Sequence, residues 1–116
     1  AIGHLVGGPA RLGPLPSREQ LEAMAGGSHQ LVYFVECHDL IKIGTALDVP
    51  GRLSALQVGC PYELKLLGTI RGGPRAEAAL HVALAEFRFR GEWFSAPREV
   101  RQAVRRLIRQ ASEVAA

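Results

Sequence analysis

The stretch LVYFVECHDLIKIG, residues 31–44, brings a phenol and an ammonium within reach of each other. Two apolar runs meet at His38 and Asp39, the pattern of two short strands joined by a tight hairpin. A two-residue turn there pairs Cys37 with Leu40, Val35 with Lys42 and Tyr33 with Gly44, so Tyr33 and Lys42 share a face as diagonal neighbours. A four-residue loop keeps that parity; a three-residue loop breaks it. Gly44, opposite Tyr33, leaves room beside the phenol. A cation in that place favours the phenolate by charge attraction, while burial opposes it. The ordinary alternative is a strand aromatic beside a lysine snorkelling at a sheet edge.

A second set of polar groups lies on one helix. The segment PRAEAALHVALAEFR, residues 74–88, opens on a proline and is rich in Ala and Leu, which predicts a helix. At about 100° per residue, Ala76, Leu80, Ala83, Leu84 and Phe87 form an apolar stripe, with Glu77, His81 and Arg88 along one edge of it. Side chains on such an edge are packed at the base and open to a groove. Glu77 also falls in the first turn, where the helix dipole favours a carboxylate whatever its role. His81 reads equally well as a boundary residue.

These residues need a scaffold to position them. With 116 residues the chain suits one domain with a single core. Residues 1–16, AIGHLVGGPARLGPLP, carry seven Gly or Pro and predict a loose arm. Ser17 then caps a short helix, with Gln20 as its capping-box partner, and Gly26 and Gly27 end it. Residues 1–29 therefore read as a flexible arm with a short helix, and residues 30–116 as the domain proper. Strands are expected at residues 30–37 and 40–44, a short helix capped by Asp48 and containing Arg52, Leu53 and Leu56, a third strand in ELKLLGTIRG, and a last helix from near Pro97 to about Val114. The fold class is α/β, a small three-stranded, mainly antiparallel sheet flanked by helices.

Composition narrows the partners. No apolar run approaches the roughly 20 residues of a bilayer span, and no charged stretch followed by a long apolar one opens the chain, so a cytoplasmic protein without membrane contact is expected. Cys37 and Cys60 have neither metal-ligand nor redox-motif spacing and read as reduced structural thiols. The net charge of +3 is modest, but Arg98, Arg101, Arg105, Arg106 and Arg109 face only Glu99 and Glu113 in the tail. On the last helix Val100, Val104, Leu107, Ala111 and Val114 make an apolar stripe, and Arg98, Arg101, Arg105 and Arg109 make a row on another side, within about 80° of one another. Such a row suits a polyanion; a solvated face is its bland counterpart.

Taken together, VYF, KIG, RLSALQ, Glu77, Leu80-His81 and GEWF over about residues 30–96 resemble the GIY-YIG endonuclease superfamily. The likeness is to the phage-protein and meiotically-up-regulated-gene type branch, whose second motif reads KIG. The resemblance implies that Tyr33 is a general base or organiser of the attacking water, that Lys42 stands where the second motif commonly has tyrosine, and that Gly44 is that motif's final glycine. It further implies that Arg52 is the catalytic arginine and Glu77 the metal-binding glutamate. Leu31 stands at the first motif's glycine, and where the family's asparagine is expected the chain has GEWF.

The implied chemistry is phosphodiester hydrolysis with one Mg²⁺ or Mn²⁺. That reaction needs a deprotonated water in line with the leaving oxygen and neutralisation of charge at the phosphate. A lone carboxylate suffices for Mg²⁺, which keeps several waters and takes phosphate oxygens as further ligands. Arg52 offers a planar fork of donors. A metal-dependent DNA endonuclease or nicking domain is therefore expected, with Tyr33, Lys42, Arg52 and Glu77 catalytic, Gly44 and His81 supporting, and Arg88, Arg98, Arg101, Arg105 and Arg109 on the DNA. The alternatives are a catalytically weak nuclease-like DNA-binding module and a protein-interaction domain.

Overall fold

The computed structural model describes residues 8–114. The hairpin forms as its alternation demands: β1, Leu31–Cys37, and β2, Leu40–Ala46, run antiparallel with Tyr33 opposite Gly44 and Val35 opposite Lys42. The two-residue turn is made possible by His38, whose φ is +55°, and its ring meets Tyr62 edge-on at 4.3 Å. Among the described residues four α-helices surround the sheet: α1, Arg18–Ala25; α2, Val49–Val58; α3, Gly73–Ala83; and α4, Arg98–Val114. Ser17 and Gln20 close both bonds of the capping box on α1, and the Asp48 carboxylate accepts from Gly51 N–H at the start of α2.

The sheet has five strands rather than the three expected. Beyond β3, Lys65–Ile70, two strands of three residues each are added, β4, Arg88–Arg90, and β5, Trp93–Ser95, in the spatial order β3-β1-β2-β5-β4, all antiparallel. Three residues are too few to display a period of two, so neither strand is legible as a pattern. The helix expected over residues 74–88 accordingly stops at Ala83, passes through a 3₁₀ turn at Ala85–Phe87 and becomes β4. Strand pairing overrides the helical propensity of its last residues.

Alternation splits the sheet into two apolar faces. Val32, Phe34, Ile41, Ile43, Ile70 and Phe94 pack against Ala76 and Leu80 of α3 and Val100, Val104 and Leu107 of α4. On the other face Tyr33, Val35, Ala46 and Leu64 pack with Val49 and Leu53 of α2. The expected stripes of α3 and α4 are thus the buried ones, with Ala111 only partly buried and the side chain of Val114 lying outside the described residues. Each large side chain so buried contributes about 1.5–3 kcal/mol.

The segment read as a loose arm is attached to the domain over much of its described part. Ala10, Leu12 and Leu15 pack on the core, Gly13 N–H donates to the Ala83 carbonyl at 2.7 Å, and Arg11 N–H donates to Glu86 at 3.0 Å. Its Gly and Pro content excludes regular structure but not packing. Residues 1–7 of the expected arm lie outside the described residues. Among the described residues no helix is long and apolar enough to cross a membrane.

Candidate active site

The site forms where β5 is shorter than the strand it pairs with. β5 covers β2 only at residues 40–42, and Ile43 N–H then donates to the Glu92 carbonyl at 3.0 Å, leaving the outer edge of β2 open beyond that point. The carbonyls on this edge need donors. His81 Nε2 lies 2.9 Å from the Ile43 oxygen, which can only accept, so Nε2 carries the proton; Arg52 Nη1 donates to the Thr45 oxygen at 3.3 Å. Both side chains cap the edge, and the His81 ring is fixed edge-on to Phe94 at 5.0 Å. Their backbone role orients them beside the groove.

Around Gly44 the approach is very close. A Cβ at this position would stand 2.5 Å from the Tyr33 oxygen and 3.1 Å from Glu92 Oε1. Only hydrogen in place of a side chain lets the phenol lie there. The Tyr33 hydroxyl is buried and has no hydrogen-bond partner among the described residues, although buried polar groups are nearly always bonded. Lys42, two residue pairs along on the same face, extends to Glu92 Oε1 at 3.0 Å and lies 5.7 Å from the Trp93 ring centroid. Its closest charged contact is thus the Glu92 carboxylate.

Glu77 reaches the same edge from α3, on the opposite face of the sheet. Its Oε2 is 3.6 Å from His81 Nε2. Burial pushes its carboxyl above the ordinary range, helped by a hydrogen bond shared with Glu92 and by the charge of that neighbour, against smaller downward effects of Thr45 and His81. For Glu92 burial also acts upward, but the hydrogen bond and charge of Lys42, with the hydrogen bond to Glu77, bring its carboxyl below the ordinary range. Of the two carboxyls Glu77 is thus the harder to ionise and Glu92 the easier.

Tyr33, Lys42, Gly44, Glu77 and His81 are thus brought together, and Arg52 lines the same groove of about 650 Å³ with Thr45, Asp48, Glu77 and Glu92. Arg88 is not on the edge of the helix with Glu77 and His81; it belongs to β4, where its guanidinium lies 5.8 Å from the Phe94 ring. Arg101 also departs from the expected open row. It pairs with Glu36, and donates to the Ala96 carbonyl at 2.8 Å and the His38 carbonyl at 3.0 Å. Arg98, Arg105 and Arg109 are exposed, the last two lining a groove with Lys65 on the β3 side of α4. Glu92 is the residue that sequence reasoning passed over. In GEWF it looks like a solubilising turn residue, and only the pairing of Trp93 with Lys42 places it beside Gly44.

Among the described residues no group of three or more His, Cys, Asp or Glu is arranged to hold an ion. Two adjacent carboxylates do fit a hard cation that keeps most of its waters, since such a cation, like a proton, relieves their repulsion. Comparison with known families matches residues 30–109 to the T5orf172 domain. No curated protein and no solved structure matches the chain.

Proposed function

The chain belongs to the T5orf172 domain family, and from that premise we propose that it is a metal-dependent DNA endonuclease or nicking domain of GIY-YIG type, hydrolysing phosphodiester bonds. The observation that carries the reading is the convergence of Tyr33, Lys42, Glu77 and Glu92, from β1, β2, α3 and the β4–β5 turn, on the space above Gly44. Residues that served only packing would not direct a phenol oxygen, two carboxylates and an ammonium to one short stretch of strand around a glycine.

Each group has a part in the reaction. Arg52 and Lys42 are the cations that accept the phosphate: Arg52 is exposed on the groove and presents paired donors, and Lys42 exchanges its contact with Glu92 for a phosphate oxygen. Tyr33 directs its unpartnered oxygen at the attacking water and, as phenolate, takes the water's proton. His81 holds the open edge in place through Ile43. Glu77, with Glu92 beside it, would hold one Mg²⁺ or Mn²⁺, whose chemistry is charge neutralisation at the phosphate and the departing oxygen. Arg98, Arg105 and Arg109 add sequence-independent affinity for the DNA backbone away from the cut.

A second reading, a nuclease-like DNA-binding module with weak cleavage, is favoured by one feature: Lys42 is engaged by Glu92 where the family's asparagine is expected. Incubation of supercoiled plasmid with the protein and Mg²⁺ or Mn²⁺, against Glu77→Ala, decides between them. Nicking that depends on metal and on Glu77 supports the endonuclease; retarded but intact plasmid supports the binding module.

A further inference from the structure

The β4–β5 hairpin carries more than Glu92. Its first strand is an outer edge of the sheet, and Arg88, Phe89 and Arg90 are all exposed. Phe89 leaves 64% of its surface in water. One exposed ring needs no explanation by itself; its surroundings supply one. Phe89 lies three residues before Glu92, joined to it through the tight β4–β5 turn at Gly91, whose φ is +58°, so the exposed ring and the Glu92 carboxylate belong to one small hairpin.

The arginines lie to either side of it. Arg88 is opposite Phe94 and Arg90 opposite Trp93, with the register slipping between them, so the two guanidiniums leave from opposite faces of the sheet. Arg90 shares the face of Trp93 and Lys42, the face of the phenol. Among the described residues neither Arg88 nor Arg90 is in an ion pair. An aromatic face between two free cations, one on the side of the proposed scissile phosphate, has the chemistry of a surface that binds single-stranded nucleic acid.

We propose that Phe89 is a stacking platform for an unpaired base of the DNA strand being cut, with Arg90 on the phosphate between that base and the catalytic groove. The inference rests on the nuclease reading and names its substrate class. In an intact duplex the bases present only their edges, so a ring can stack only where a gap, branch or single-stranded stretch frees a base within a few nucleotides of the cut. A second copy of this chain is a poorer occupant of the same edge. Antiparallel pairing of β4 with itself about Phe89 would set Arg88 against Arg90 of the other copy.

Anisotropy titrations of the full chain in metal-free buffer, where no cutting occurs, test this with three probes: a duplex, the same duplex interrupted by a short gap, and the single strand. Phe89→Ala should weaken binding of the gapped and single-stranded probes about tenfold and change the duplex by less than about twofold. Phe89→Trp should restore the loss, and thermal unfolding of both variants should match the parent because the ring is exposed. Equal losses on all three probes, or none, overturn the stacking role. If metal-dependent plasmid nicking persists in that case, only this inference falls; if the parent binds no probe and nicks nothing, the nuclease reading falls with it.

Discussion

Tyr33 and Gly44 are closer than any other residue could allow: a Cβ at position 44 would stand 2.5 Å from the phenol oxygen and 2.7 Å from the ring carbon bearing it. The contact joins the centre of the sheet to the proposed chemistry, since the same ring fills the α2 side of the core.

Gly44→Ala should therefore cost stability and activity together. The ring is buried in the core, so the variant should lose about 1–3 kcal/mol in denaturant unfolding, the range for overpacking a core. Combining it with Tyr33→Phe should recover part of that loss, because the clashing oxygen is gone, while activity stays low. Additive losses in the double-mutant cycle would mean that the two positions do not press on each other.

Glu77→Gln should trade function for stability. The carboxyl's pKa is raised in the folded chain, so the folded state binds the proton more tightly than the unfolded state, and stability falls as pH rises from the ordinary carboxylate range to the raised value. The neutral amide does not titrate. Glu77→Gln should lose metal-dependent nicking yet melt higher at neutral pH, with the advantage disappearing in acid, where Glu77 is protonated in both states. Glu92, whose pKa is lowered, has the opposite sign: its contribution is present above the ordinary carboxylate range and is lost as pH falls through its folded value. Melting curves of both single variants across pH separate the two.

Lys42→Met should move the acid limb of the kcat/KM profile to higher pH. Without the ammonium 3.0 Å away, Glu92 holds a proton more readily, and the carboxylate pair ionises later. A lower rate on an unmoved profile would instead assign Lys42 to the phosphate alone.

The sequence makes the centre of this molecule legible and the edge of its site obscure, and the reason is periodicity. Seven-residue strands around His38 and Asp39 display their alternation, which is why the partners of Tyr33, Val35 and Cys37 follow from a two-residue turn. The stripe of α3 is legible for the same reason. Glu92 depends on β4 and β5, whose three residues each display nothing, and on a pairing with β2 some fifty positions earlier in the chain. Arg101 illustrates the same limit. Helical spacing puts it in a row with Arg98, Arg105 and Arg109, but its partner Glu36 lies on β1, and no local pattern reports that contact.

That contact divides the basic row into parts that separate experiments can reach. Arg101 holds the turn of the β1–β2 hairpin to α4 through Glu36 and the His38 carbonyl, and the chain before α4 through the Ala96 carbonyl. Arg101→Gln should cost about 1–3 kcal/mol of stability, because it leaves a half-buried carboxylate and two carbonyls without their donor. Its effect on DNA affinity should be small. Arg105 and Arg109 have no such partner among the described residues and line the groove with Lys65. Changing both to Gln should leave the melting curve where it was or raise it slightly, since it relieves like-charge repulsion along the helix. If the pair lies on the DNA backbone, the slope of log affinity against log salt should fall by about two, near 0.9 for each lost phosphate contact, uniformly across DNA sequences. An unchanged slope would return Arg105 and Arg109 to the solvated face and leave the catalytic groove and the β4 edge as the proposed contacts with DNA.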